Sequence, residues 1–398
     1  MRGQGLAKPR TRKDLKRGVA LVIVVTAVGV MSAFATEFAY NTRVYFYMAN
    51  NARERVQAYY NARAATNIAT QVVNSFDMIQ SIAGGMGGGR LAGNNMELWR
   101  FACTFADVFA TGKLNLMGMD VLDMKGTEGL GVEGGAFGCS IEPEDGKVNL
   151  SRVSNLQEKQ AIFKQLYAVF RNHYRDAMDD ELDKEVAETV GRVIDWADPD
   201  QVKTVLDPAS AAVTEGGAES DDYASFGYST KNAKMDSLAE IHQIEGVDDE
   251  TYCKFADKLT IYDTFKLNVN TADIEIVKAL LCEFMQGPLR DMQCGLVSPG
   301  LITPIDIVGG YIETCRKVKM SMFMLPFTTP GAFTKLLGSL PDPLRQEMVF
   351  NTAALNQFID TKSKIVRIRS WGRSGRTEAR LDGVLDTSRH NYVYWNEY

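Results

Sequence analysis

Two acidic groups in the middle of the chain hold the residues best suited to chemistry. In DWADPD (residues 195–200), Asp198 and Asp200 flank Pro199, so both carboxylates can point to one side of a turn, with Asp195 just before them. In GGAESDDY (residues 216–223), Glu219, Asp221 and Asp222 follow a Gly-Gly pair that lets the backbone bend sharply. Carboxylates gathered on turn-like sequence suit a hard cation. Calcium takes about six to eight oxygens from carboxylates, carbonyls and water, whereas magnesium keeps its waters and favours substrate phosphate. The D-x-D-x-D-G spacing of an EF-hand is absent. Asp248 and Asp249 extend the pattern and would belong to a second site. The competing reading of any charge run is a solvated face.

Other chemistries find less support. Asp195 and Asp198 would serve as an acid/base pair, but a metal site uses more of the acids at once. A Ser-His-Asp arrangement would have to draw on His173, His242 and His390, which are scattered and lack a G-x-S-x-G context. With so few histidines and no C-x-x-C, zinc is disfavoured. The sequence therefore does not read as an enzyme. Cys103, Cys139, Cys253, Cys282, Cys294 and Cys315 are an even set, allowing up to three disulfides in an exported body. Connectivity does not follow from sequence; Cys103 and Cys139 share a segment and make a natural first guess, and buried free thiols are the rival reading.

The elements that must position these groups begin with a charge asymmetry. The chain has 398 residues and a net charge of −6, yet residues 1–18 hold seven basic residues against Asp14 alone, a net of +6. The remaining residues therefore sum to −12. Val19–Thr36 is an uncharged run of 18 residues. It spans about 27 Å as a helix, enough for a bilayer core. Basic residues before it would keep that end in the cytoplasm and send the body across. A cleaved signal peptide using Ala33 and Ala35 is the alternative. Apolar residues at Tyr45, Met48, Ala52, Val56, Tyr59, Ala62, Ala65, Ala69, Val72, Phe76 and Ile79 continue at steps of three and four. With no proline from residue 19 to 80, one long helix is expected.

Further along, GGMGGGRLAGNN (residues 84–95) reads as a loop, and FGCSIEPEDGKVNLSRV (residues 137–153) as two strands about an Asp145-Gly146 turn. Residues 156–345 read mainly as helix. Within them, residues 176–250 carry 21 acids against five basic residues, a net of −16, which is the wrong sign for a phosphate-binding groove. Residues 364–386 alternate around a turn carrying Gly372 and Gly375, and YVYWNEY closes a β meander.

The junction KRGVALVIVV resembles the leader of type IV pilins and pseudopilins, cut by prepilin peptidase between Gly18 and Val19 and N-methylated at Val19. The fifth mature residue in that family is normally Glu; here it is Ile23, which resembles the K-type minor pseudopilin of bacterial type II secretion systems. "WxDxD" with "GAExxxY", YSTKNAKMDSLAEIHQIEGVDDETY (residues 228–252) and LNVNTADIEIVKALL (residues 267–281, with Thr271 placed as N-cap) are similar to that family's patterns, as is the DGKVNL segment. Residues 296–350 show little likeness.

The resemblance implies an α+β fold: a pilin-like long N-terminal helix packed on a small antiparallel sheet, with a large inserted all-helical domain. The implied divisions are a leader (1–18), transmembrane (19–36) and amphipathic (37–80) halves of the helix, a first part of the β head (81–155), the helical insertion (156–345) and C-terminal strands (346–398). It implies calcium held by Asp198, Asp200, Glu219 and Asp222, with Asp195 and Asp221 as further candidates. It implies a single-pass inner-membrane protein whose bulk is periplasmic. Its partners would be I- and J-type minor pseudopilins, the major pseudopilin and prepilin peptidase, with no nucleic acid. The alternatives are a minor pilin of a related filament and a membrane-anchored helix-hairpin-helix DNA-binding protein, for which Gly246 would supply the hairpin.

Overall fold

A computed structural model describes residues 12–75, 102–104, 113–116, 119–123, 135–151, 153–173, 180–207, 212–223, 226–262, 266–294, 302–321 and 324–398. Helix α1 runs from Arg12 to Asn74, 63 residues without a proline. The glycine-rich loop and the expected helical residues from 76 to 80, including Phe76 and Ile79, lie outside the described residues. Strands β1 (Lys113–Leu116) and β2 (Met119–Asp123) form an antiparallel hairpin, and β3 (Gly135–Pro143) enters the main sheet. That sheet is completed by the C-terminal strands, so residues far apart in sequence form one layer.

Between β3 and the C-terminal strands lies a helical region. It contains β4 (Val148–Asn149), α2 (Leu156–His173), α3 (Asp180–Ala197) and the hairpin β5 (Val202–Asp207) and β6 (Ala212–Ala218). Then come α4 (Asp249–Phe255), β7 (Leu259–Thr260), β8 (Leu267–Asn268), α5 (Ile274–Glu283) and β9 (Met285–Gln286). The chain continues through α6 (Pro304–Ser321), α7 (Pro330–Gly338), β10 (Val349–Phe350), α8 (Thr352–Phe358) and β11 (Ile359–Asp360). Apolar faces of α2, α3, α5 and α6 meet in one core, with Phe163, Leu166, Val190, Ile194, Val277, Leu281 and Ile312 all buried. The region runs past the expected boundary at residue 345. Asn351 caps α8 by accepting from the Ala354 N–H at 3.1 Å, and Leu355 is buried in the same core.

The main sheet has the order β14–β13–β12–β3, all antiparallel, where β12 is Ile365–Ser374, β13 Thr377–Asp386 and β14 Asn391–Glu397. The α1 residues that it buries are mostly small, Ala58, Ala62, Ala65, Thr66 and Ala69, with Asn61 and Val73 beside them. The larger residues of the expected stripe, Tyr45, Met48 and Val56, are exposed. Gly372 explains the choice and corrects its expected place in a turn: it lies inside β12, and a Cβ there would stand 2.2 Å from both the Ala58 carbonyl oxygen and the Ala62 nitrogen. Helix and sheet touch backbone to backbone at that point. The turn itself is made by Gly375 and Arg376.

The expected hairpin over residues 137–153 is not formed. After Pro143 the chain bends at Glu144–Gly146, and β4 leaves the sheet to pair in parallel with β7, Val148 opposite Leu259. The bend joins the two regions. Asp145 Oδ2 accepts from the Lys364 and Ile365 N–H groups at 2.7 and 3.0 Å, while the Asp145 carbonyl accepts from Asn268 N–H at 2.8 Å. Two disulfides add covalent ties, Cys103–Cys139 onto β3 and Cys282–Cys294 at the end of α5. Cys253 and Cys315 are free thiols.

Candidate metal centre

The last turn of α3 points Asp195 into the interior, and the helix ends at Ala197, leaving Asp198 as the first residue beyond. Hairpin β5–β6, which the helical expectation for this stretch overlooked, then brings the chain back so that Glu219 follows directly after β6. Gly191 permits the approach: a Cβ there would lie 2.6 Å from the Thr204 carbonyl oxygen. With α3 and β5 this close, the Thr204 N–H donates to Asp195 Oδ1 at 2.9 Å.

Asp195, Asp198 and Glu219 each present one carboxylate oxygen, and these atoms lie within 4.8 Å of one another. The three residues are 2%, 0% and 2% exposed. Each carboxylate also has a contact of its own. Asp195 takes the Thr204 N–H, Glu219 Oε2 accepts from Thr230 Oγ1 at 2.8 Å, and Asp198 Oδ2 pairs with the Lys159 ammonium at 2.7 Å. Asp195 Oδ2, Asp198 Oδ1 and Glu219 Oε1 are left buried without a hydrogen-bond donor. Buried oxygens of this kind are costly unless something positive meets them.

Lys159 comes from α2, and its side chain is 1% exposed. Besides Asp198, its Nζ lies 2.7 Å from Asp200 Oδ2 and 3.3 Å from Glu215 Oε1. The electrostatics follow. Burial, reinforced by Glu219 and Asp198, pushes the Asp195 carboxyl up to about 7. Burial, with Asp198 and Asp200 nearby, pushes Glu219 up to about 7 as well. Burial likewise raises Asp198 despite its ammonium partner. For Asp200, partial burial is outweighed by donation from Lys159 and the Val202 N–H, and its carboxyl falls below the ordinary range. Lys159 is held charged, because hydrogen bonds to Asp198 and Asp200 exceed the opposing effect of burial.

No protein-family model matches the chain, and no curated protein matches it. Among solved structures, a chain of the GspK-GspI-GspJ complex from the enterotoxigenic Escherichia coli Type 2 Secretion System is similar to it. The two are 12% identical with a TM-score of 0.42, and the match covers 67% of this chain and 80% of that chain.

The remaining candidates separate clearly. Asp200 is 40% exposed at its side chain and serves as an ion-pair partner at the rim of the trio. Asp221 and Asp222 sit on the single helical turn Ser220–Tyr223 beside Glu219, and their side chains lie outside the described residues. Asp248 is occupied as the N-cap of α4, accepting from Thr251 N–H at 2.7 Å. Asp249 faces His242 at 3.2 Å in solvent, so the two do not extend the buried group. Thr271, expected to cap α5, lies before the cap; Asp273 accepts from Glu275 N–H because it stands one residue from the first helical position.

The sequence patterns around the acids have structural meaning. Trp196 and Tyr223 pack with ring centroids 5.9 Å apart, and Tyr228 lies within 5.6 Å of Tyr223. Asn232 donates to the Asp200 carbonyl. These contacts lock the two acidic loops together from outside. Gly246 packs against Thr189 of α3, and its neighbour Asp248 is exposed, an arrangement unsuited to phosphate.

A donor set made only of carboxylate oxygens, closely spaced and shielded from water, fits a hard divalent cation. Such an ion would be held by Asp195, Asp198 and Glu219, and would supply the positive charge that the trio lacks.

Proposed function

We propose that this chain is a structural minor pseudopilin at the tip of a type II secretion pseudopilus, not a catalyst. In this reading it is cleaved after Gly18, N-methylated at Val19, and drawn from the inner membrane into an assembly with I- and J-type minor pseudopilins and the major pseudopilin. The observation that carries the proposal is the division of α1. Every residue from Val19 to Ala49 is exposed, among them Val22, Ile23, Val25, Phe34, Phe38 and Phe46, while Ala58, Ala62, Ala65, Ala69 and Val73 pack on the sheet. A long apolar helix fits a single-pass anchor. Apolar surface of this extent needs cover, which lipid gives before assembly and neighbouring helices give after it.

Ile23 leaves no carboxylate for a neighbour's N-terminal amine, which suits a subunit placed first. We propose calcium as the cation of the buried trio, where it would hold the two acidic loops against their mutual repulsion. The experiment that tests the main proposal is the N-terminal residue and intact mass of the protein with and without prepilin peptidase. N-methyl-Val19, formed only with the enzyme, is expected; an uncut chain or cleavage near Ala35 would overturn it.

A further inference from the structure

Lys159 is the least expected member of the acidic group. It lies on the apolar face of α2, in step with Ile162, Phe163, Leu166 and Phe170, where a lysine is normally excluded. Its ammonium nevertheless reaches Asp198 Oδ2 and Asp200 Oδ2 at 2.7 Å and Glu215 Oε1 at 3.3 Å. Asp198 is therefore shared between the ammonium and the trio with Asp195 and Glu219.

We infer that Lys159 is a tethered counter-cation of the metal centre, keeping the acidic loops folded without metal and lowering their affinity for a divalent ion. The inference rests on the cation reading given above and adds what sets its strength. Two consequences follow from charge alone. Without a divalent ion, the ammonium is a positive charge inside the carboxylate group and opposes its repulsion. With one bound, the ammonium and the ion share Asp198, and like charges at close range disfavour each other. The site is thus built to bind weakly and reversibly, and to survive removal of the ion.

The test uses full-length protein in detergent, stripped with a chelator, and titrated with calcium chloride by calorimetry alongside thermal unfolding. Lys159→Met removes the charge at similar length; Lys159→Gln also removes it but keeps a donor for Asp198 and Asp200. Both should bind calcium at least about tenfold more tightly than wild type, and both should unfold at lower temperature in chelator. Saturating calcium should close most of that gap. Should Lys159→Met be unfolded without metal, the affinity of Lys159→Gln decides. Equal or weaker calcium binding by the folded variants overturns the counter-cation role while leaving the site in place. Absence of calcium binding by wild type overturns the site itself, and the two failures are therefore distinct.

Discussion

Two groups of buried carboxylates in this molecule are handled in opposite ways. At the bend between sheet and helical region, Glu144 is wholly buried, yet Lys147 and Arg367 both reach its Oε1, at 2.9 and 2.7 Å. Arg367 also pairs with Asp382 at 2.9 Å and lies over the rings of Tyr262 and Tyr394. Although burial acts the other way, these cations hold the Glu144 carboxyl below its ordinary range. In the trio, only Asp198 of three similarly buried acids meets an ammonium, and burial raises all three. The first group has its charges matched by cations from within the chain and serves as a joint. The second is incomplete: its one ammonium is divided among Asp198, Asp200 and Glu215, and Asp195 and Glu219 are left without a cation among the described residues. Neither burial nor an unmatched oxygen alone marks a site, since Glu144 Oε2 and Asp382 Oδ1 also lack a hydrogen-bond partner; the lack of a cation beside Asp195 and Glu219 does.

The comparison breaks most visibly at Arg367. Arg367→Met leaves Glu144 buried with Lys147 alone and should cost about 3–5 kcal/mol, since removal of one partner strands the other charge. Chemical denaturation should show this loss equally in calcium and in chelator. A loss below about 1 kcal/mol would mean that the joint is not held by this pair.

Asp195→Asn sharpens the contrast from the other side. In chelator the amide removes one like charge and keeps an oxygen for the Thr204 N–H, so stability should hold or rise slightly. The calcium response should vanish: a wild-type gain of roughly 2.7 kcal/mol at a hundredfold excess over Kd would be absent. Destabilisation in chelator comparable with that of Arg367→Met would erase the distinction between the groups.

How much of this was legible in the sequence depends on range. The long helix and the C-terminal strands followed from local period and composition, and the acidic groups stood out by charge. The β5–β6 hairpin did not, because its KTVLD and VTEGG segments are short and sit inside a strongly acidic stretch read as helical. Gly372 passes for a turn residue until the helix is laid on it, since the requirement comes from Ala58 and Ala62 more than 300 residues earlier. The escape of β4 from its hairpin depends on β7, over 100 residues later. Lys159 left one local signal, a charge in register with the buried face of α2, but nothing local connects it to acids 39 to 56 residues downstream.

The smallest effect tests whether the joint is wholly complete. Asp145, beside Glu144, is 5% exposed and accepts two backbone N–H groups, yet burial and the charge of Asp360 push its carboxyl from 3.8 to about 7. Between about pH 4 and 7 the folded chain therefore holds a proton that the unfolded chain releases, so the Asp145 contribution to stability falls as pH rises through that window. Asparagine resembles the protonated acid and keeps an oxygen for the Lys364 and Ile365 N–H groups. Asp145→Asn should match wild type near pH 4 and exceed it by about 1–2 kcal/mol at pH 8, with water entry reducing the gain. Intact mass must accompany the measurement, because an Asn-Gly pair at 145–146 is prone to deamidation. A constant difference across the pH range would show that Asp145 ionises without penalty, and that the joint, unlike the trio, holds no uncompensated acid.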